Sequence, residues 1–256
     1  MIIVQLNPDV PPTGSDLGIV NAARRSFGKR SEEFTDKDER LLRFLARGMT
    51  AADFDKFIRK VQEQAYDELT YSWYEIHGPH LIERLWQWRN TPTHDTPINH
   101  GFFSFEVKAP IFVRAQLVKH EYLIMSEYSR RYITDDVEFY QHDYRQAAKD
   151  KKQGSGGPHR DNAMWQETAE ENNYAQLAIY NEMIAGGVAP EQARGVLPQD
   201  LMTAWTWSGT FGAFVKMCQL RLHPEAQAET RIVAEKVYGF LEQQFPVSAP
   251  LFVHGG

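Results

Sequence analysis

One cysteine, Cys218, stands in 256 residues, so neither an internal disulfide nor a cysteine-based metal site is open to the chain, and a reducing compartment suits it. Long apolar runs are missing too. No stretch approaches the ~20 apolar residues that a bilayer crossing needs, and the mean hydropathy is -0.51. Met1 to Leu6 has neither the basic start nor the small-residue cleavage site of a signal peptide. The expectation is a cytoplasmic protein with no membrane partner. Positive charge is in deficit: 28 basic residues against 34 acidic ones leave a formal charge of -6. Surfaces that bind nucleic acid by neutralising phosphates lean basic, so no nucleic-acid partner is expected, and an anionic ligand must be met by a local cluster of arginines. Gly154-Ser155-Gly156-Gly157 lacks the buried strand before it and the Lys-Ser/Thr pair after it that a phosphate loop requires. His120-Glu121 is followed by no second histidine four residues on, so no metal site is expected.

What is present is a globular composition, 42% hydrophobic and 24% charged, in a chain long enough to bury roughly 70 to 75% of its unfolded surface. Residues 2 to 6 read as a short strand. Ser15 or Asp16 caps a helix through about Phe27, and a second helix follows Thr35 and stops at Gly48. Phe54, Phe57, Ile58, Val61, Ala65, Leu69, Trp73 and Ile76 recur at helical spacing, and a short helix follows over His80 to Arg89. The segment from Asn90 to His100 is a loop. A strand follows over Gly101 to Val107, with Phe103, Phe105 and Val107 on one face. Past Pro110 a helix is expected through about Leu123. The glycine- and lysine-rich stretch around 149–160 reads as a flexible surface loop. Helices are expected over Asp161 to Ala185, Pro190 to Gly195, Phe211 to Leu222 and Pro224 to Gln244, with a strand at Leu201 to Ser208.

Chemistry concentrates in Arg114 to Tyr132, which holds Gln116, Lys119, His120, Glu121, Ser126, Glu127, Ser129, Arg130 and Arg131 among apolar residues that make it a packed element. Its polar side chains therefore face water or line a cavity. Hydroxyls and paired guanidinium groups suit a phosphate and a polar ring. Arg194, closed by Leu197-Pro198, and Arg221, ending an otherwise apolar helix, are either structural partners or further anion ligands.

These segments resemble the flavin-dependent thymidylate synthase (ThyX) family. Its signature is Arg-His-Arg, two variable residues, Ser, one variable, Asn-Glu, one variable, Ser, one variable, Arg; here His120, Glu127, Ser129 and Arg131 match it. Upstream, His94-Asp95-Thr96-Pro97, Phe103-Ser104-Phe105 and Lys108 to Val113 are similar to the family's approach to its signature. Downstream, Gly187 to Arg194, Val196-Leu197-Pro198, Thr203, Trp207, Leu220-Arg221, Gln227 and Glu229 match, as does Ala22 to Phe27 near the start.

The resemblance implies an α+β fold, mixed helices around a small antiparallel sheet, forming a single domain over 1–256 with a helical insertion around 50–78. It also implies a homotetramer with shared active sites. The substrates would be deoxyuridylate (dUMP) and methylenetetrahydrofolate, with FAD as cofactor and NADPH as reductant. By the same resemblance, dUMP is held by Gln116, Lys119, Glu127, Tyr128, Ser129, Arg130, Arg131, Arg194 and Arg221, and Arg221, Ser129 and His94 are catalytic. The positions that correspond to FAD ligands are Ser26, Thr96, Lys119, His120, Glu121, Glu127, Thr210, Gly212 and Lys216. Carbon 5 of uracil is a poor nucleophile, and in this family Arg221 would activate it by stabilising charge on the N3 to O4 side of the ring, with no cysteine adduct.

Departures fall on the flavin side. Arg-His-Arg has become Lys119-His120-Glu121, and the downstream Asn, Arg and Asn have become Thr210, Gly212 and Lys216. Glu121 changes local charge by two units, and Lys119 loses bidentate geometry. An altered, weak or absent flavin interaction is therefore expected. Three functions stay open: the thymidylate synthase, a related pyrimidine nucleotide hydroxymethylase, and a catalytically silent nucleotide-binding homologue.

Overall fold

A computed structural model describes residues 1–47, 96–129, 131, 137–148 and 154–255. The helices expected over 54–78 and 80–89, together with His94 and Arg130, lie outside the described residues. The chain divides into two compact units, each assembled from three stretches: Met1–Pro12, Phe103–Gly209 and Lys216–Gly239 form the first, and Thr13–Phe102, Thr210–Val215 and Phe240–Gly256 the second.

The first unit is organised by a four-stranded sheet in the order β1 (Ile3–Leu6), β2 (Phe102–Pro110), β6 (Met202–Thr210), β3 (Leu123–Glu127). Period-2 alternation decides its faces. Phe103, Phe105 and Val107 on β2 and Trp205 and Trp207 on β6 are all nearly inaccessible, as the sequence pattern predicts for the first three. The rings of Phe103 and Phe105, two residues apart and so on the same face, stack at 5.7 Å. Between the two central strands, the Ser104 and Ser208 hydroxyls meet at 2.8 Å.

Two elements of this unit depart from the sequence reading. The helix after Pro110, α3 (Ile111–Leu117), stops at Leu117 instead of running to Leu123. Turns close at His120 and Leu123, whose N–H groups bond the Leu117 and His120 carbonyls, and the chain then enters β3, antiparallel to Trp205–Gly209. Cross-strand pairing overrides local helix propensity here, as it commonly does for short apolar segments. The second departure is Ser155–Pro158, which forms strand β5 against β4 (Arg145–Ala147) where the composition predicts a flexible loop. Ladder bonds and the Arg145 guanidinium, bonded to Ser155 Oγ at 2.6 Å and Glu229 Oε1 at 2.6 Å, order this glycine-rich stretch.

Helix α4 (Asn162–Ala185) follows, then α5 (Pro190–Ala193), with proline at its first turn where no N–H is needed. Helix α6 (Phe211–Arg221) and helix α7 (Ala228–Gln244) each contribute residues to both units. The segment Pro224 to Gln227, expected to be helical, precedes α7 instead.

In the second unit, α1 (Asp16–Arg24) is capped by Ser15, whose hydroxyl accepts from Gly18 N, and α2 (Asp36–Arg47) follows. Thr35 and Asp38 form a reciprocal cap at the start of α2: the Asp38 carboxylate accepts from Thr35 N (2.9 Å) and Thr35 Oγ1 (2.6 Å) while Asp38 N donates to Thr35 O. Arg24 closes on the same carboxylate at 2.6 Å, which ties α1 to α2. Asp16 accepts from Val247 N and Ser248 N at 2.9 and 2.8 Å and anchors the C-terminal segment. Phe211 and Phe245 stack at 4.2 Å in this core.

Candidate functional site

In the first unit, Arg221 sits at the C-terminal end of α6, where the apolar residues Phe214, Val215, Met217 and Cys218 bury the helix and leave the last guanidinium half-buried. Its Nε–H donates to His120 Nε2 at 3.1 Å and its Nη2 donates to the Gln116 carbonyl at 3.2 Å. Both acceptors are neutral. Burial, with the Arg221 charge adding to it, pushes the His120 imidazole down to about 4, so at neutral pH the ring carries its proton on Nδ1 and accepts on Nε2. The ring meets Trp207 edge-on at 6.4 Å. Burial also lowers the Arg221 guanidinium from its ordinary value.

Gln116, which supplies that carbonyl, has its side chain engaged elsewhere. Its amide donates to Gln227 Oε1, and its Oε1 accepts from Thr230 Oγ1 at 3.1 Å. Helix α3 is thereby joined to the start of α7, and the carbonyl that Arg221 uses is held in place.

A second grouping gathers the other candidate nucleotide residues. Glu127, on β3, takes the Arg114 guanidinium at 2.6 Å and a hydrogen bond from Thr203 Oγ1 at 3.1 Å. Tyr128 continues the ladder by donating its N–H to Ala204 O at 2.8 Å. Glu127, Tyr128 and Ser126 line one cleft of about 460 Å³ on the sheet. Ser129 Oγ accepts from Arg131 N at 3.3 Å, and the Arg131 guanidinium lies 3.3 Å from Glu191. Arg194 Nε donates to the Glu191 carbonyl at 3.3 Å, so Arg131 and Arg194 share Glu191. Lys119 and Glu121 are both exposed. Arg114 opens the polar cluster read from the sequence and Thr203 is among its family-like positions, but neither is given a ligand or catalytic role there. Their part in holding Glu127 comes from tertiary placement.

The residues considered for flavin fall in both units. In the second, Ser26 and Thr96 line one cleft of about 640 Å³ with Lys29 and the apolar Phe27, Leu41, Phe44 and Leu45. Hydroxyls and a cation at the edge of an apolar wall suit a dinucleotide with a flat ring system. Thr210 and Gly212 act differently. Thr210 Oγ1 donates to Asn99 Oδ1 at 2.8 Å and accepts from Ala213 N at 3.2 Å, capping α6. A Cβ on Gly212 would lie 2.5 Å from Asn99 Oδ1 and 2.9 Å from Ile98 Cγ1. Both residues therefore hold the Thr96–His100 turn. In the first unit Lys216 places its ammonium 5.7 Å from the centre of the Tyr122 ring.

Cys218 is fully buried, burial pushes its thiol well above the ordinary range, and its Sγ points at the Ala234 carbonyl. A thiol held neutral in this way cannot serve as a nucleophile.

The family model for "Thymidylate synthase complementing protein" matches residues 11–247. A flavin-dependent thymidylate synthase from Thermus thermophilus is 34% identical over 176 residues, 67% of this chain and 62% of the relative. One from Wolbachia pipientis wMel is 28% identical over 246 residues, 94% of this chain and 70% of the relative. The match thus spans about three fifths of the Thermus protein's length. The crystal structure of the UMP/dUMP methylase PolB from Streptomyces cacaoi bound with 5-Br dUMP is similar at a TM-score of 0.74 and 24% identity, covering 100% of this chain and 96% of that chain. That likeness establishes the α+β fold, helices with a small antiparallel sheet. With a model match over nearly its whole length, the chain belongs to the thymidylate synthase complementing protein family, relatives of which bear the name flavin-dependent thymidylate synthase.

Proposed function

We propose that this chain transfers the methylene group of methylenetetrahydrofolate to carbon 5 of dUMP and that the product is thymidylate. The observation that carries the reading is Arg221. Its half-buried guanidinium is held by two neutral acceptors, His120 Nε2 and the Gln116 carbonyl, with no carboxylate in ion-pair distance among the described residues. By contrast, Arg24, Arg114 and Arg145 each hold a carboxylate at 2.6 Å. A desolvated cation without a counter-ion is suited to an anionic ligand or to charge that develops during reaction.

Arg221 stabilises negative charge on the N3 to O4 side of the uracil ring, which makes carbon 5 nucleophilic without a thiol adduct; the inert Cys218 is consistent with this. Carbon 5 then bonds the methylene carbon, tetrahydrofolate leaves, and the carbon 5 proton departs. Flavin, when bound, supplies the hydride that completes the methyl group and is reduced again by NADPH. Ser26 and Thr96, which line the second unit's cleft, would help to hold it, and Thr210 and Gly212 fix the turn that bears Thr96. Arg131 and Arg194 take the nucleotide phosphate as Glu191 releases them, with Ser129, Tyr128, Glu127, Lys119 and Gln116 completing the nucleotide contacts. His94 and Arg130 join them by the family resemblance.

A homotetramer with shared sites accords with α4, a helix about 36 Å long by its rise per residue. Among its residues Met164, Trp165, Tyr174 and Ile179 are 44 to 59% exposed, an apolar surface suited to another copy. The hydroxymethylase reading rests on the altered flavin positions: without hydride, water traps the methylene carbon. Incubation with dUMP, methylenetetrahydrofolate, flavin and NADPH, followed by mass analysis of the nucleotide, separates the readings. Thymidylate supports the proposal. A hydroxymethyl product, or bound but unchanged nucleotide, overturns it in favour of the hydroxymethylase or the silent homologue.

A further inference from the structure

The His120–Arg221 contact has a geometry that the roles above leave unused. The contact joins residues 101 positions apart, with the donor hydrogen of the guanidinium aimed at a ring nitrogen. The geometry is two-pronged: Nε–H meets His120 Nε2 at 3.1 Å and Nη2 meets the Gln116 carbonyl at 3.2 Å, so two atoms of the planar guanidinium are fixed and its orientation with them. The Nη1 end has no protein partner among the described residues and is left for a ligand. Gln116 is in turn braced by Gln227 and Thr230, so one prong is rigid and the other depends on a single side chain.

We propose that His120 is a positioning residue for Arg221: as a neutral imidazole it accepts the Nε–H, sets the plane of the guanidinium and leaves Nη1 to face the uracil ring. This rests on the function proposed above, and it gives His120 a task on the nucleotide side in place of the flavin contact that the family resemblance implies. The ring can accept only while Nε2 is unprotonated. Protonation removes the acceptor and sets two cations 3.1 Å apart. Among the described residues the Arg221 guanidinium is the charge that acts on the ring, and burial together with that charge keeps the ring neutral down to about pH 4. Its chain neighbours Lys119 and Glu121 are exposed, where solvent screens them. Trp207, packed against the ring edge, offers no charge.

The test separates this role from the catalytic reading. His120→Leu removes the acceptor, whereas in His120→Gln the amide oxygen reaches the place of Nε2 and accepts without titrating. With the intact protein, His120→Leu is expected to lower kcat at least about tenfold while nucleotide Kd and flavin occupancy stay within about threefold. His120→Gln recovers most of that loss and has no acid limb in its rate profile. Loss of flavin occupancy with kcat per bound flavin unchanged assigns His120 to the cofactor and overturns the proposal, as does a His120→Gln variant no better than His120→Leu. A second measurement needs no turnover. The Arg221 Nε–H resonance, assigned by its disappearance in Arg221→Lys, should be protected from exchange in the unmodified protein at pH 7 and lose that protection on titration toward pH 4 and in His120→Leu. A resonance indifferent to both refutes the contact even if the enzyme makes thymidylate. A resonance that responds in a protein with no activity upholds the contact and instead sinks the catalytic reading.

Discussion

His120 accepts the Arg221 Nε–H at 3.1 Å, and the Gln116 carbonyl takes the Nη2 of the same guanidinium at 3.2 Å. The arginine is therefore held by neutral groups and keeps its whole charge for a ligand. Replacing it by alanine leaves α6 buried through Phe214, Val215 and Met217 and removes the charge. Arg221→Ala is expected to reduce kcat by about 10²- to 10³-fold, the usual cost of deleting one group that stabilises a developing anion, with its melting transition close to that of the parent. Full activity in steady-state assays would show that the charge is not used.

The same pair predicts a pH effect on stability. His120 has its folded value depressed from 6.5 to about 4, so between these values the unfolded chain binds the proton and the folded chain does not. Stability therefore falls as pH drops from about 6.5 toward 4. Denaturant melts over that window should show a shallower slope in His120→Gln than in the parent; identical slopes would mean that the histidine is not held neutral.

Asp38 is 1% exposed. Burial pushes its carboxyl up, but hydrogen bonds from Thr35 and Ser31 and the Arg24 charge outweigh it and hold the carboxyl below its ordinary value. Its contribution is present above the unfolded carboxylate range and is lost as pH falls through the lower folded value. Asp38→Ala strands Arg24 and removes the cap of α2, at an expected cost of about 3 kcal/mol. Equilibrium unfolding at pH 7 measures it, and a change within 0.5 kcal/mol, roughly that of an ordinary surface substitution, contradicts the assignment.

Gly212 offers a steric test. A Cβ there meets Asn99 Oδ1 at 2.5 Å, so Gly212→Ala must displace the Thr96–His100 turn. A loss of about 1 to 3 kcal/mol is expected for overpacking of this kind, accompanied by weaker flavin binding in a fluorescence titration. Unchanged stability and unchanged flavin affinity would show that the turn does not depend on this contact.

The sheet is the most legible part of the fold because its central strands bury every second residue: the alternation of Phe103, Phe105 and Val107 is enough to mark a buried face. β3 is not legible, since Leu123 to Glu127 is too short and mixed to declare a period, and its partner, Trp205 to Gly209, lies some eighty positions away. Ordering of Ser155 to Pro158 is hidden for a related reason: it comes from Arg145 and the β4 ladder, not from the glycines themselves. At the candidate site, resemblance points to Arg221, Arg194 and Arg131. What it does not convey is who holds each one. The bond from Arg221 to His120 and the sharing of Glu191 by Arg131 and Arg194 depend on tertiary placement. Gly212 shows the reverse case, where a departure visible in the sequence acquires a physical meaning only with Asn99 beside it.

The central claim is cysteine-independent activation of carbon 5 by Arg221, and the release of tritium from dUMP labelled at that carbon tests it most directly. With methylenetetrahydrofolate, flavin and NADPH present, the account predicts release matched by thymidylate formation in the parent and in Cys218→Ala, and release reduced about 10²-fold or more in Arg221→Ala. Release that survives in Arg221→Ala but vanishes in Cys218→Ala would contradict it.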